Sequence, residues 1–147
     1  MKKLFGWFTL VFFIAAQVYA YMNSPADSAM GHLQKIMYVH VPAAWLAFVA
    51  FFVVFVMSIV YLVRKRVRDD LIAASAAEVG VVMTALTLVL GSMWGRPTWG
   101  VWWTWDPRLT STAIMFLMYV GYLTLRGFTD DEERRARWSA AIGILAF

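Results

Sequence analysis

Apolar residues dominate four stretches of the chain, and polar or charged residues separate these stretches. They are Leu4 to Met22, Ile36 to Val63, Leu71 to Met93 and Leu109 to Leu125. Each is close to the roughly 20 residues that cross the hydrocarbon core of a bilayer as a helix. A fifth stretch, from Ser139 to Phe147, has too few residues to cross. The pattern predicts an all-α fold: a polytopic transmembrane helix bundle with four full spans plus the start of a fifth, forming a single domain over residues 1–147.

Two points near the ends of the sequence leave alternatives open. Lys2, Lys3, the apolar run and the small-residue pattern Val18-Tyr19-Ala20 also fit a secretory signal peptide. The run is longer than a usual signal core and continues past that pattern, so we expect a retained first span. We also expect the natural chain to continue beyond Phe147; the alternative is that it ends there in a short interfacial segment.

The composition is that of an integral membrane protein. Hydrophobic residues make up 62% of the chain and charged residues 15%, which excludes an ordinary soluble domain. The absence of cysteine excludes a disulfide framework, a thiolate metal site and a Cys-x-x-Cys motif. The sequence shows neither a glycine-rich phosphate loop nor a nucleophile beside a base, so hydrolytic chemistry is not indicated.

Basic residues predict the orientation in the membrane. Ten lie on one side, against three on the other. The ten are Lys2, Lys3, Arg64, Lys65, Arg66, Arg68, Arg126, Arg134, Arg135 and Arg137, and the three are Lys35, Arg96 and Arg108. Because cytoplasmic loops are enriched in Lys and Arg, the amino terminus and the segments 64–70 and 126–138 are predicted to be cytoplasmic. The net charge of +4 then reflects topology and not nucleic-acid binding. The run Asp130 to Arg135 is expected to be a solvated turn, with partner docking as the alternative.

The outward segment from Trp94 to Arg108 contains five of the eight tryptophans within twelve residues. An interfacial anchor needs only an occasional Trp, and here two Gly, two Pro and two Arg accompany the five. We predict an outer loop over about residues 94–110 that forms a platform for a large, flat, apolar ligand. The alternative is an aromatic belt with a packed loop. The platform residues are Trp94, Trp99, Trp102, Trp103 and Trp105.

His40 lies on the same outward side, where the second span begins. Because Pro42 suits the first turn of a helix and disfavours a helical Val41, the span is predicted to begin near Pro42, with His40 just above it. A neutral imidazole there can bind a metal; the alternative is an interfacial His bonded to a carbonyl or a lipid headgroup. His32 is a weaker candidate, because two histidines eight residues apart on one helix would not hold a single iron.

Asp106 and Pro107 predict the start of the fourth span, since an Asp carboxylate caps free backbone N–H groups and Pro suits the first helical position. This cap does not exclude a role at the ligand site. The outward ends of the second and fourth spans are helix amino termini, whose dipoles favour anions. With Arg96 and Arg108 nearby, this rim is predicted to bind two carboxylates.

A flat aromatic ligand that stacks on Trp, carries acidic groups for Arg and accepts a His nitrogen at its centre describes haem. Without cysteine, the iron would be held by an imidazole, and His40 is the predicted axial ligand. Glu78 is a separate candidate, because it lies inside the third span about two turns from the predicted cytoplasmic end. The alternative is that Glu78 pairs with a basic residue of the adjacent loop or snorkels to the interface.

The stretch Trp94 to Ser111 resembles the WWD signature of haem-handling membrane proteins. Tyr38 to Ala44 resembles the first outer-face histidine motif of one such family, haem exporter protein C, also called cytochrome c maturation protein C. The resemblance runs over essentially the whole chain. It implies a multi-pass protein of the bacterial inner membrane whose signature loop binds haem b at the periplasmic face without a covalent bond. The implied partners are a periplasmic haem chaperone, an ATP-binding cassette complex, a small single-span helper protein and membrane lipid.

The resemblance also implies a mechanism. Haem lies against the signature loop, His40 supplies one axial nitrogen, and Arg96 or Arg108 pairs with a propionate. The protein is then a presentation scaffold and not an enzyme with its own acid and base. Family members typically have six spans and a second outer-face histidine after the fifth, which this sequence does not reach. Two other classes stay open: a haem-containing redox subunit that oxidises quinol, and a structural subunit that grips a partner without haem.

Overall fold

The computed structural model describes residues 2–147, and its helices follow the apolar pattern. In chain order they are α1 (Lys2–Asn23), a 3-10 helix (His32–Ile36), α2 (Met37–Arg64), α3 (Val67–Trp99), α4 (Pro107–Phe128) and α5 (Glu132–Leu145). Four helical runs are long and apolar enough to cross a membrane: Lys3–Asn23, His32–Arg64, Val67–Trp99 and Pro107–Phe128. The predicted all-α, multi-pass architecture is confirmed.

The chain divides into two compact units, of which the first ends at Pro42. In this unit the connection after α1 is an ordered turn. The Asp27 carboxylate accepts hydrogen bonds from the backbone N–H groups of Ala29 and Met30, both at 2.8 Å, and these bonds lower the pKa of Asp27. Lys35 donates from Nζ to the Tyr21 carbonyl at 2.5 Å. The 3-10 helix is therefore tied to the end of α1.

The second unit runs from Ala43 to Phe147 and packs its helices around Phe51. The Phe51 ring stacks on Tyr119 of α4, with ring centroids 3.7 Å apart. A Cβ at Gly80 of α3 would overlap the Phe51 ring, and a Cβ at Gly143 of α5 would lie 2.6 Å from the Ser58 hydroxyl. Small residues allow such close approach between membrane helices, so glycine suits both contacts.

A buried salt bridge joins the start of α3 to the end of α4. The Arg126 guanidinium donates to both oxygens of the Asp70 carboxylate, at 2.6 and 2.8 Å, and the two side chains are only 12% and 7% exposed. This pair brings the predicted cytoplasmic segments 64–70 and 126–138 to one end of the second unit. The sequence predicts loop residues at both positions, and nothing in it indicates that they pair.

The run Asp130 to Arg135 is not the turn that the sequence predicted. Asp131 caps α5 by accepting a hydrogen bond from the Arg134 N–H at 2.7 Å, and Glu132 to Arg135 form the first helical turn. Acidic residues at the amino end of a helix favour this outcome through the cap and the helix dipole. The apolar stretch from Ser139 to Phe147 is then the second half of α5 and its end.

Candidate functional site

The tryptophan-rich segment Trp94–Arg108, here called the tryptophan corner, is only partly a loop. α3 continues through Trp99, so residues 100–106 alone lie outside helices, and the predicted outer loop over 94–110 is wrong in its extent. Pro97 lies inside α3, a position that membrane helices tolerate. The residue that terminates the helix is Gly100, directly after Trp99. It has a φ of 80° and donates its N–H to the Arg96 carbonyl at 3.0 Å.

The five indoles of the corner form two edge-to-face pairs and one separate ring. The Trp94 and Trp99 ring centroids are 5.3 Å apart with planes at 90°, and those of Trp103 and Trp105 are 5.7 Å apart at 78°. Such edge-to-face pairs are favourable. Trp99, Trp102 and Trp105 are 43%, 60% and 82% exposed. The corner therefore presents three indoles with exposed surface, and the two edge-to-face pairs restrict how Trp99 and Trp105 are oriented.

Two indole nitrogens of the corner are buried hydrogen-bond donors. The Nε1 atoms of Trp94 and Trp103 are buried and have no hydrogen-bond partner within residues 2–147. A buried indole N–H normally finds an acceptor. Orphaned donors beside exposed aromatic faces fit a ligand that has both a flat apolar surface and polar acceptor atoms, as a porphyrin with carboxylate groups does.

The two arginines of the corner hold different positions. The Arg108 guanidinium lies over the Trp99 ring, 5.8 Å from its centroid, which is a cation–π contact. The Arg96 guanidinium donates to the Gly100 carbonyl and so closes the end of α3. Both arginines are exposed. Arg108 is therefore the more available cation for a carboxylate, while Arg96 must first exchange its bond to the backbone.

Asp106 forms the cap that the sequence predicted, so that prediction is confirmed. Its Oδ1 accepts from the Leu109 N–H at 2.9 Å, and its Oδ2 accepts from the Thr104 hydroxyl at 2.9 Å. Pro107 occupies the first turn of α4. The Leu109 bond, followed by the Thr104 bond, lowers the pKa of Asp106. Asp106 thus joins the irregular part of the corner to the start of α4, and Thr104 is a site residue that the sequence analysis missed.

Asp106→Ala is expected to lower the thermal stability of the corner at neutral pH. Because folding lowers the pKa of Asp106, its stabilising contribution is present above the ordinary pKa of an Asp and is lost as the pH falls through the lowered value. The difference between wild type and variant, followed by tryptophan emission, should therefore shrink as the pH falls. Asp130→Ala, which removes an exposed acid outside the corner, serves as the control. A difference that is constant with pH would contradict the assigned cap.

His40 lies in the first turn of α2 and is partly buried. The prediction that this span begins near Pro42 is wrong, because α2 begins at Met37 and Pro42 lies inside it. The preceding 3-10 helix already supplies helical turns, and an internal Pro is tolerated in membrane helices. His32 is exposed at the start of the 3-10 helix. His40 belongs to the first unit, whereas the tryptophan corner belongs to the second.

Within the second unit, the beginning of its α2 segment lies beside the middle of α3 and the amino-terminal half of α4. A cavity of about 170 Å³ is lined there by Ala44 and Ala47 of α2, by Thr84 and Thr87 of α3, and by Thr112 of α4. Thr112 donates its hydroxyl to the Arg108 carbonyl at 2.8 Å. The cavity therefore adjoins the second turn of α4. The sequence does not indicate this cavity, because its walls come from three separate helices.

Comparison with known proteins supports the predicted resemblance. The family model described as Heme exporter protein C matches residues 1–147. The chain is 42% identical over 128 residues to Heme exporter protein C of Rhodobacter capsulatus, which covers 87% of this chain and 53% of the relative. The corresponding values for the Escherichia coli K12 protein of the same name are 35% over 152 residues, 99% and 61%. The chain belongs to the Heme exporter protein C family. It spans about half the length of the curated relatives it matches.

A third relative bears the same name. Heme exporter protein C of Bradyrhizobium diazoefficiens is 41% identical over 135 residues, which is 92% of this chain and 51% of the relative. Membership in the Heme exporter protein C family agrees with the four apolar helices of a multi-pass membrane protein. The tryptophan corner and His40 both lie within the matched residues.

Proposed function

We propose that the chain binds haem b at the tryptophan corner, on the periplasmic face of the bacterial inner membrane, and presents it to a periplasmic haem chaperone during cytochrome c maturation. The corner itself carries the proposal: three exposed indoles stand beside two orphaned indole donors and two cations. The name of the relatives, Heme exporter protein C, supports haem as the cargo. Amino-terminal and inter-helix basic residues support a cytoplasmic amino terminus.

The corner residues then have distinct roles. Trp99, Trp102 and Trp105 offer exposed aromatic surface to the porphyrin plane, since large flat rings gain most from stacking and burial. Arg108 is the first candidate for a propionate, with Arg96 as the second. Asp106 is not a ligand in this scheme; it holds the turn that carries Trp103 and Trp105 by capping α4. These residues bind and orient the cargo, and none of them acts as an acid or base.

His40 is the proposed axial ligand of the haem iron. It precedes Ala44, which lines the cavity beside the second turn of α4, by four residues in the chain. A neutral imidazole is a common axial ligand of haem iron, and a place in the first turn of a helix restricts where the ring can go. We propose that the second axial ligand is the outer-face histidine that the family resemblance implies after the fifth span.

The proposed partners follow from the same scheme. A scaffold that presents haem needs a chaperone that takes it, and we propose that an ATP-binding cassette complex and a small single-span helper protein assemble with the membrane helices. Lipid surrounds the apolar faces. Since the bound haem would remain partly exposed on the open side of the corner, the chaperone can approach its edge without displacing the capped turn.

Haem absorbance of the purified natural protein tests the His40 assignment. We expect His40→Ala to lower the haem retained per protein by about tenfold, equivalent to roughly 1.4 kcal/mol of lost ligation. His32→Ala is the matched control and should leave the Soret band close to wild type. A wild-type protein without a Soret band would contradict haem binding as a whole. A His40→Ala band identical to wild type would contradict the axial ligand alone.

A further inference from the structure

Glu78 is an exposed carboxylate in the membrane-spanning part of α3. It lies eleven residues after Val67, the first residue of α3, which is about 17 Å along the helix axis. The apolar pattern predicts that Glu78 lies about two turns from this end, whereas in the structure it lies about three turns from it, because α3 begins four residues before Leu71. Counted from Leu71, where the apolar stretch begins, Glu78 is still about 10 Å inside a core of about 30 Å.

Within the described residues, Glu78 forms no salt bridge with a basic side chain. The salt bridges of residues 2–147 join Arg126 to Asp70 and Arg137 to Glu133, so the alternative in which Glu78 pairs with the adjacent basic loop is not found. The basic residues of the four spans also lie close to the span ends and not at the depth of Glu78. They are Lys3, Lys35, Arg64, Arg68, Arg96, Arg108 and Arg126.

Glu78 is part of an exposed stripe along one face of α3. Its members are spaced by three, four or seven residues, which places them on a single helix face: Leu71, Ser75, Glu78, Val82, Val89 and Met93. The opposite face packs into the second unit through Ala73, Ala77, Gly80 and Thr84. Ser75, one turn from Glu78, is small enough to allow another helix to approach closely.

An ionisable side chain that faces the bilayer interior is costly and almost always has a partner there. We propose that this stripe docks a transmembrane helix of a partner subunit that carries a lysine or arginine at the depth of Glu78. Charge complementarity favours this occupant over a second copy and over lipid, and the remainder of the natural chain is the competing occupant that the crosslinking below distinguishes. A second copy of the chain would bring another Glu78 to the interface and no base at that depth. Lipid tails offer neither a charge nor a hydrogen bond.

The docking stripe is separate from the proposed haem site. Glu78 precedes Trp94 by sixteen residues, about 24 Å along α3, and its stripe includes no residue of the tryptophan corner. Substitution of Glu78 should therefore leave haem absorbance unchanged while it disrupts assembly. Failure of haem binding and failure of docking are thus distinguishable.

Site-specific photo-crosslinking in native membranes tests the docking. Benzoylphenylalanine is placed at Val82, one turn from Glu78 on the stripe, in the natural full-length protein. We expect a crosslink to another membrane subunit, with a Lys or Arg within about one helical turn of the crosslinked residue when the peptide is sequenced. Glu78→Lys should lower the crosslink yield by about tenfold, because like charges repel across an interface. Glu78→Gln should lower it less.

The control probe is benzoylphenylalanine at Ile59, an exposed residue of α2, whose crosslinks should not respond to Glu78→Lys if the variant is folded. Exchange of the partner's basic residue for Glu should restore the Val82 crosslink in Glu78→Lys. Four results would overturn the proposal: crosslinks at Val82 only to lipid, crosslinks only to the chain itself or a second copy, a partner helix without a base, or a yield that Glu78→Lys leaves unchanged.

Discussion

Arg126→Ala is expected to destabilise the second unit by about 3 kcal/mol, because it leaves the Asp70 carboxylate buried without its cation. Asp70 accepts both hydrogen bonds of the pair, at 2.6 and 2.8 Å, and its side chain is 7% exposed. Asp70→Ala should have a similar effect, since it strands the guanidinium instead. Unfolding in mixed micelles with increasing denaturing detergent, followed by circular dichroism, measures the change.

The chain contains a matched control for this prediction. Arg137 and Glu133 form an exposed salt bridge four residues apart on α5, with side chains 61% and 69% exposed. Arg137→Ala is expected to change stability by about 0.5 kcal/mol or less, as is usual for exposed helical pairs. The double variant Asp70→Ala/Arg126→Ala should be more stable than either single variant, because no unpaired charge remains. Equal losses for Arg126→Ala and Arg137→Ala would show that burial does not strengthen the first pair.

The Asp70–Arg126 pair also matters for the position of the site. α3 and α4 are joined at the tryptophan corner and held together by this pair at their other ends. Phe51, Gly80 and Tyr119 pack the region between the two points. The corner therefore joins two helices that are also held together at their opposite ends by the salt bridge. This restricts the relative movement of α3 and α4 and so helps to keep the indoles in one arrangement.

Replacement of Trp99, Trp102 and Trp105 together by alanine is expected to weaken haem binding by roughly 100-fold. An aromatic contact of good geometry contributes about 1 kcal/mol beyond the area it buries. Three such contacts amount to about 3 kcal/mol, which corresponds to roughly two orders of magnitude in affinity. Absorbance titration of the natural protein in lipid nanodiscs with ferric haem measures the change.

The control for the triple variant is Trp7→Ala/Trp138→Ala. These two residues are 67% and 59% exposed, so they are as accessible as Trp102, but they lie outside the corner. Their replacement should leave the haem affinity close to wild type. If both variants lost affinity equally, haem would be partitioning onto exposed aromatics in general and the corner would not be a site.

The spans could be predicted from the sequence because hydrophobicity decides which residues enter the bilayer. Helix ends could not be predicted in the same way. α3 begins at Val67, before the apolar stretch, and ends at Trp99, beyond Met93, because helical hydrogen bonding continues past the hydrocarbon core. A different reason applies to α2, which begins at Met37 although Pro42 suggested a later start. Proline restricts local geometry, but a membrane helix can tolerate it.

The candidate site shows a similar division between local and long-range features. The cap at Asp106 could be predicted, since its partners Thr104 and Leu109 are within three residues of it. The pairing of Asp70 with Arg126 could not, because 56 residues separate them. The bond from Arg96 to Gly100 was missed for another reason: it depends on α3 continuing through Pro97 to Trp99.

Oxidative mapping of bound haem tests most directly whether the tryptophan corner is the haem site. Hydrogen peroxide added to the haem-loaded natural protein generates oxidants at the iron, which modify nearby aromatic side chains, and mass spectrometry then locates the oxidised tryptophans. The account predicts oxidation several times greater at Trp99, Trp102 and Trp105 than at Trp7 and Trp138. Exposure alone does not produce this result, since Trp7 is 67% and Trp102 60% exposed. Equal oxidation of both groups, or preferential oxidation of Trp7 and Trp138, would contradict it.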